Sequence, residues 1–372
     1  VTPECDVLVI GGGVVGLACS AALATAGRSV VLTERAGGFG RETSARNSQV
    51  IHAGLYYPAD SLKASLCVRG RSLLYERCAA QKIPHRKTGK LVVATRDEER
   101  AALHALEERS RGNGVHGVRL LGAKQLSRLE PAVRGVEALL SAESGIVDAR
   151  RLCESFSVES ESQGAVLLLH TEVVAIEALA GGYRVEATTG GEHSALTCAA
   201  VVNAAGLASD AMAALAGLDV DALGLRLHPC KGDYFALAPG RRLPLSHLVY
   251  PVPSGPGLGI HATPDLAGRI RFGPDAEYVD VLGYDVDPGK ASYFAAALSR
   301  FLPEIEAGWL VPEGSGIRPR LAGPGEPFRD FVVAEESSAG FPGFVNLIGI
   351  ESPGLTAAPA IAERVVALLG SL

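Results

Sequence analysis

The stretch Cys5-Asp6-Val7-Leu8-Val9-Ile10-Gly11-Gly12-Gly13-Val14-Val15-Gly16 decides the fold. Cys5 to Ile10 is an apolar run of the length expected for a parallel strand buried on both faces. Val14 to Gly27 reads as a helix closed by glycine, and Ser29 to Glu34 as a second strand. Gly11, Gly13 and Gly16 satisfy Gly-x-Gly-x-x-Gly at the junction between strand and helix. In a chain with 44 glycines the spacing alone is weak, so its weight comes from this position. Glu34 closes the second strand about 20 residues later, where a carboxylate can accept ribose hydroxyls. Backbone without side chains can approach a pyrophosphate there, and the phosphate charge meets the unpaired N–H groups and dipole of the helix. The reading is a dinucleotide site, with a purely structural glycine turn as its alternative.

Working outward, Thr43-Ser44-Ala45-Arg46-Asn47-Ser48 follows Gly37 to Gly40 as a polar cluster suited to hydrogen bonding a diphosphate. His52-Ala53-Gly54 then puts two small residues after a histidine, either for a flat ring or for a tight turn. Helices are expected near Ser61 to Gln81, Asp97 to Arg111 and Asp148 to Gln163, with Glu98, Glu99, Glu107 and Glu108 on a solvated face. Val201 to Gly206 ends another strand at small residues, a second point of close approach. From Arg226 to Phe272 extended runs broken by Pro and Gly predict an antiparallel sheet, with His261 inside one strand. A strand from Phe344 to Ile348 and a helix from Leu355 to Leu369 follow. Ala358, Ile361, Ala362, Val365 and Leu369 share that helix's apolar face, and Pro359 is expected in its first turn.

The 372 residues exceed one typical domain, and 47% hydrophobic with 20% charged residues is a globular balance. A net charge of -6 without a long basic block argues against nucleic acid as a partner. Seven scattered cysteines without a Cys-x-x-Cys pair predict neither a disulfide framework nor a metal site, and a reducing cytoplasm is expected. No run is long enough for a transmembrane helix, and Val1 lies too near the first strand for a signal peptide; peripheral membrane association stays open.

These segments resemble the FAD-dependent oxidoreductases of the D-amino-acid oxidase type, and most closely the L-2-hydroxyglutarate dehydrogenase/oxidase family. The resemblance covers essentially the whole chain. It is carried by Ser44 to Tyr57, by Leu248-Val249-Tyr250-Pro251-Val252-Pro253, and by Gly349-Ile350-Glu351-Ser352-Pro353-Gly354-Leu355-Thr356. It implies an α/β protein: a glutathione-reductase-like, FAD-binding Rossmann domain from 1–85, 148–225 and 311–372, and a mostly antiparallel sheet with helices for substrate from 86–147 and 226–310. Noncovalent FAD would meet Gly11, Gly13, Val14, Val15, Gly16, Glu34, Arg35, Thr43, Ser44, Arg46, Asn47, Ser48, the backbone of Val173, Ala205, Gly206, Gly354, Leu355 and Thr356.

The implied reaction is oxidation of a small 2-hydroxy acid, L-2-hydroxyglutarate to 2-oxoglutarate, with oxygen or a quinone as electron acceptor. Such chemistry needs a base and carboxylate anchors. His52 is the favoured base or flavin-side partner and His261 the competitor. Arg318 resembles the family's carboxylate-binding arginine. Lys231, Tyr234 and Tyr250 are weaker candidates for a distal carboxylate, and Lys231 stands where the family pattern has arginine, without that residue's planar fork. An amino-acid or N-methylamino-acid oxidase of the glycine/sarcosine oxidase type, and a flavin-binding protein without turnover, are the competing readings.

Overall fold

The computed structural model describes residues 2–253 and 257–370. Its first sheet has eight strands, with Cys5–Ile10 at the centre. Val30–Thr33 and the end of Glu192–Asn203 flank that strand in parallel, pairing Val7 with Val30 and with Ala200. Val166–Leu168 and Phe341–Ile348 extend the parallel part on either side. Apolar residues on both faces explain the order: Val7 and Val9 bury on one side and Leu8 and Ile10 on the other. Helices Val14–Thr25, Leu62–Ala80, Ala149–Ser162 and Gly354–Leu369 cover the first side, and helix Ser209–Leu215 lies on the other. Ser61 and Asp148 are the helix N-caps, each accepting a backbone N–H three residues on.

The second sheet has nine strands and is mostly antiparallel. One pairing departs from the sequence expectation: Leu248–Pro251 runs parallel to Lys90–Ala94 and joins the chain's two substrate-side segments. His261 also differs from expectation. It lies in a loop just before strand Ala262–Pro264, because the backbone turns at Gly259, where φ is +75°. A three-stranded sheet of Val50–Ile51, Gly145–Val147 and His85–Arg86 links the two parts.

The boundary expected at 311 moves. Strand Leu310–Arg320 pairs along its length with His228–Leu237 in the second sheet, so we place the final crossing after Arg320. In helix Gly354–Leu369 the five stripe residues are all buried, as the periodicity predicts. Pro359 stands inside this helix, beyond its first turn, because the helix begins at Gly354. Glu99 is not simply solvated, since its carboxylate accepts the Thr95 N–H at 2.7 Å. Among the described residues no helix is long and apolar enough to cross a membrane.

Candidate active site

Two cavities meet at the carboxyl ends of the parallel strands, one of about 900 Å³ and one of about 140 Å³. They share Gly13, Thr43, Ser44, Ala204 and Gly206 and therefore form one slot. Such a place, outside strand ends that point at a helix start, is where open α/β sheets bind ligands.

The narrow end is made of backbone. Gly11 has φ of +107°, and a Cβ there would stand 2.5 Å from the Ala204 carbonyl oxygen. A Cβ on Gly16 would overlap the Gly11 carbonyl oxygen, so helix Val14–Thr25 can seat against the strand only through glycine. Gly12, not assigned a role from sequence, is equally hemmed in, by the Phe39 ring and Glu34 Cβ. Glu34 holds this turn closed: one carboxylate oxygen accepts the Gly12 N–H at 2.8 Å and the other the Ala36 N–H at 2.7 Å. Arg35, Val173 and Ala205 line the same end, with Val173 at an irregularity in its strand's register.

The polar cluster divides its work. Ser44 Oγ accepts the Val14 N–H at 2.9 Å and keeps its own proton free to donate. Asn47 lines the larger cavity, and its amide donates to the carbonyls of Thr43 and Ser44, at 3.0 and 2.8 Å, which shapes the turn. Ser48 Oγ meets the Tyr234 hydroxyl at 3.2 Å. Arg46 lines the larger cavity with its guanidinium 3.9 Å over the Tyr284 ring. At Gly54 the tight turn is the reading that holds. Its φ of +102° makes a turn, and a Cβ there would meet Val68 at 2.8 Å, so its smallness serves packing on helix Leu62–Ala80.

Gly354 and Leu355 line the larger cavity at the start of the last helix, whose N-cap, Pro353, offers no side-chain acceptor. Thr356 does not line it. Its hydroxyl accepts the His52 N–H at 3.0 Å and donates to the Val50 carbonyl at 3.3 Å, tying the two segments together. The slot fits FAD. Its glycine-floored narrow end leaves room for a pyrophosphate, two helix starts supply unpaired N–H groups, and the wide end has the volume for a three-ring system beside a substrate.

The wide end is made of side chains. His52 lines it with Nε2 3.2 Å from Ser352 Oγ, and burial, with the charge of Lys90 and neighbouring His261 behind it, holds the imidazole well below its ordinary range. His261 is buried, and its Nδ1 lies 2.9 Å from the Gly259 carbonyl, which fixes the proton on that nitrogen. Nε2 is then a lone pair with no partner among the described residues. Burial pulls this imidazole down to about 3. Its ring stacks on Tyr250 at 3.8 Å and 11°.

Arg318 lines the cavity half-buried, and its guanidinium meets only carbonyl oxygens, of Cys230, Lys231 and Asp275 at 3.4, 3.3 and 3.0 Å, and the Cys230 sulfur. Its charge is thus left for an anion. Gly232 makes its room: a Cβ there would lie 2.8 Å from Arg318 Nη2. Lys231 departs from the sequence expectation and does not line the cavity. Its ammonium donates to the Asp285 carbonyl and pairs with buried Asp233 at 3.3 Å.

Sequence reasoning passed over Glu351, which lines the cavity and joins Lys63, at 2.9 Å, to Arg320, at 3.4 Å. It also passed over Lys90, a charge opening an otherwise apolar strand, which was the available signal.

Comparison with known proteins agrees with this geometry. The family described as FAD dependent oxidoreductase matches residues 6–368. The mitochondrial L-2-hydroxyglutarate dehydrogenase of Arabidopsis thaliana is 40% identical, over 97% of this chain and 82% of the plant protein. The human mitochondrial L-2-hydroxyglutarate dehydrogenase is 33% identical, over 89% and 81%. Among solved structures, L-alpha-glycerophosphate oxidase from Mycoplasma pneumoniae with FAD bound superposes with a TM-score of 0.87 at 27% identity, covering 98% of this chain and 94% of that one. The chain belongs to the FAD-dependent oxidoreductase family, in the branch of the L-2-hydroxyglutarate dehydrogenases.

Proposed function

We propose that the protein oxidises L-2-hydroxyglutarate to 2-oxoglutarate, with His261 as the base. The observation that carries this assignment is the unpartnered Nε2 of His261, buried at a cavity wall with its tautomer fixed by Gly259. A buried acceptor without a donor is costly, and a substrate hydroxyl supplies the donor. In the reaction the C2–H pair leaves as hydride, the hydroxyl proton goes to His261 Nε2, and the C2–O bond becomes a carbonyl. When bound, FAD supplies the two-electron acceptor for that hydride.

Arg318 holds the carboxylate next to C2, because its guanidinium has no acidic partner and can fork to two oxygens. The Tyr234 and Tyr250 side chains line the wall near it and orient the rest of the acid. His52 acts from the cofactor side, fixed by Thr356 and Ser352. The N–H groups at the start of helix Gly354–Leu369 would favour negative charge on a flavin bound in the cavity.

The flavin colour of anaerobic holoenzyme tests this reading. L-2-Hydroxyglutarate should bleach it, and glycine, sarcosine and glycerol 3-phosphate should not; bleaching by an amine instead would overturn the substrate assignment. Oxygen or a quinone then takes the electrons, and mixing reduced enzyme with each identifies which. All seven cysteines are free, which favours a reducing compartment such as the cytoplasm.

A further inference from the structure

Two separate segments hold Arg318. Its Nη1 meets the Cys230 and Lys231 carbonyls of strand His228–Leu237, and its Nη2 meets the Asp275 carbonyl at 3.0 Å. Asp275 lies between strands Ile270–Phe272 and Glu277–Tyr278, both of which pair with His228–Leu237. The Asp275 side chain does a different job from its carbonyl. One carboxylate oxygen accepts the Asp233 N–H at 2.7 Å, and the other accepts from Lys290 Nζ at 3.0 Å. The same ammonium reaches Asp233 at 2.7 Å and Glu277 at 2.8 Å. From the turn that opens helix Ala291–Leu298, Lys290 thus ties together both segments that carry the acceptors of Arg318. The Asp233 and Asp275 side chains are buried, at 1% and 8% exposure, so neither charge is left to water. Lys231 is a second cation for Asp233, at 3.3 Å, but among the described residues Asp275 pairs with Lys290 alone. Asp275 lines the cavity, and Lys290 and Asp233 do not.

Asp275 therefore shows Arg318 a neutral carbonyl while carrying a negative charge a few bonds away. Turned the other way, that carboxylate would pair with the guanidinium and take the place of a substrate carboxylate, because a charge-assisted bond outweighs one to a carbonyl. We propose that Lys290 is a positioning residue for substrate binding, which holds the Asp275 carboxylate away from Arg318 and leaves the guanidinium charge for the carboxylate of the acid. This rests on the reading of Arg318 as the substrate anchor. An ammonium suits the task because its three donors serve three carboxylates at once. Stability alone would not call for such a cluster, since well-packed apolar residues replace buried ion pairs at little or no cost. Without Lys290, the two buried carboxylates would share only Lys231, and the Asp275 side chain would turn to Arg318, whose charge no acid compensates among the described residues.

The test uses holoenzyme and two ligands. L-2-Hydroxyglutarate gives kcat and KM, and glutarate, which has the carboxylates but no hydroxyl to oxidise, gives a Kd read from the flavin absorbance. Lys290→Met should raise KM and the glutarate Kd together by about tenfold, with kcat within about twofold of the wild type. Lys290→Arg, which keeps the charge, should recover most of the loss. So should Lys290→Met combined with Asp275→Asn, in which the competing charge is gone and the acceptor for the Asp233 N–H remains. Wild-type KM and Kd in Lys290→Met, a loss that persists undiminished in the double variant, or a fall in kcat with KM unchanged would each overturn the proposal. If Lys290→Met does not fold, Lys290→Gln takes its place, with a donor but no charge, and a wild-type glutarate Kd there sinks the idea equally. Arg318→Ala separates the two levels of the argument. If it leaves glutarate binding unchanged, Arg318 is not the anchor and the reading beneath the proposal fails; if it weakens binding where Lys290→Met does not, the anchor stands and the role of Lys290 fails.

Discussion

The narrow and the wide ends of the slot are built from different materials. The narrow end is glycine backbone, the start of helix Val14–Thr25 and a turn closed by Glu34, all within residues 10–48 apart from the segments 171–173 and 204–212 that face them. The wide end is a set of side chains gathered from His52, Tyr234, Tyr250, His261, Arg318 and Glu351, which are far apart in the chain. A backbone site tolerates nearly any side chain that points away and no added carbon where it touches. A side-chain site should show the reverse.

The largest effect should come from Gly16→Ala. The added carbon would overlap the Gly11 carbonyl, and the backbone there has no side-chain torsion with which to yield. Overpacking of this kind costs about 1 to 3 kcal/mol, so the variant should purify largely colourless, as read by the ratio of absorbance at 450 and 280 nm. Full flavin content would mean that the helix start is less tightly seated than the two ends' contrast requires.

His261→Gln should retain FAD and lose about 10²- to 10⁴-fold in kcat/KM. His52→Gln, made in parallel, should lose less, because its Nε2 already has Ser352 as a partner. If the two losses exchange places, the base is His52.

The smallest effects concern the anion. Arg318→Ala should lower kcat/KM about ten- to hundredfold, from about 1.5 to 3 kcal/mol of charge-assisted bonding, and Arg318→Lys should recover part of it. Gly232→Ala should raise KM at least a few-fold with kcat nearly unchanged, since its Cβ would stand 2.8 Å from Arg318 Nη2 and, with Pro274 Cβ at 2.6 Å and the Asp275 carbonyl oxygen at 2.9 Å, must shift the segment that holds the guanidinium. A drop in kcat instead would show that Gly232 matters to the chemistry beyond Arg318.

The same contrast explains what was legible in the sequence. Gly11, Gly13, Gly16 and Glu34 announce themselves because the glycine turn they build is local, and local spacing is all that a motif can record. The family-like segments likewise mark His52 and the start of the last helix. Lys90 and the choice between histidines were hidden because both depend on which strands become neighbours. The parallel pairing of Lys90–Ala94 with Leu248–Pro251 joins residues 158 positions apart and has no local signature. Lys231 misled for the opposite reason: its place in the pattern suggested an anion, and its rotamer answers Asp285 and Asp233. The shift of the final crossing to Arg320 follows from strand pairing of the same non-local kind.

Thr356 bonds both His52 N and Val50 O, so the last helix is sewn to the turn that carries a histidine of the slot. That helix also packs on helices Val14–Thr25 and Leu62–Ala80, which belong to the first quarter of the chain. A ribosome making this protein therefore releases the glycine loop long before the residues that finish the pocket. The nascent chain must hold its first helices with an uncovered apolar flank until residues 354–369 have left the exit tunnel. FAD capture should accordingly be a late event that waits for residues 354–369 to emerge, and a chain stopped before residue 354 should remain colourless and depend on chaperones whatever the quality of its glycine motif.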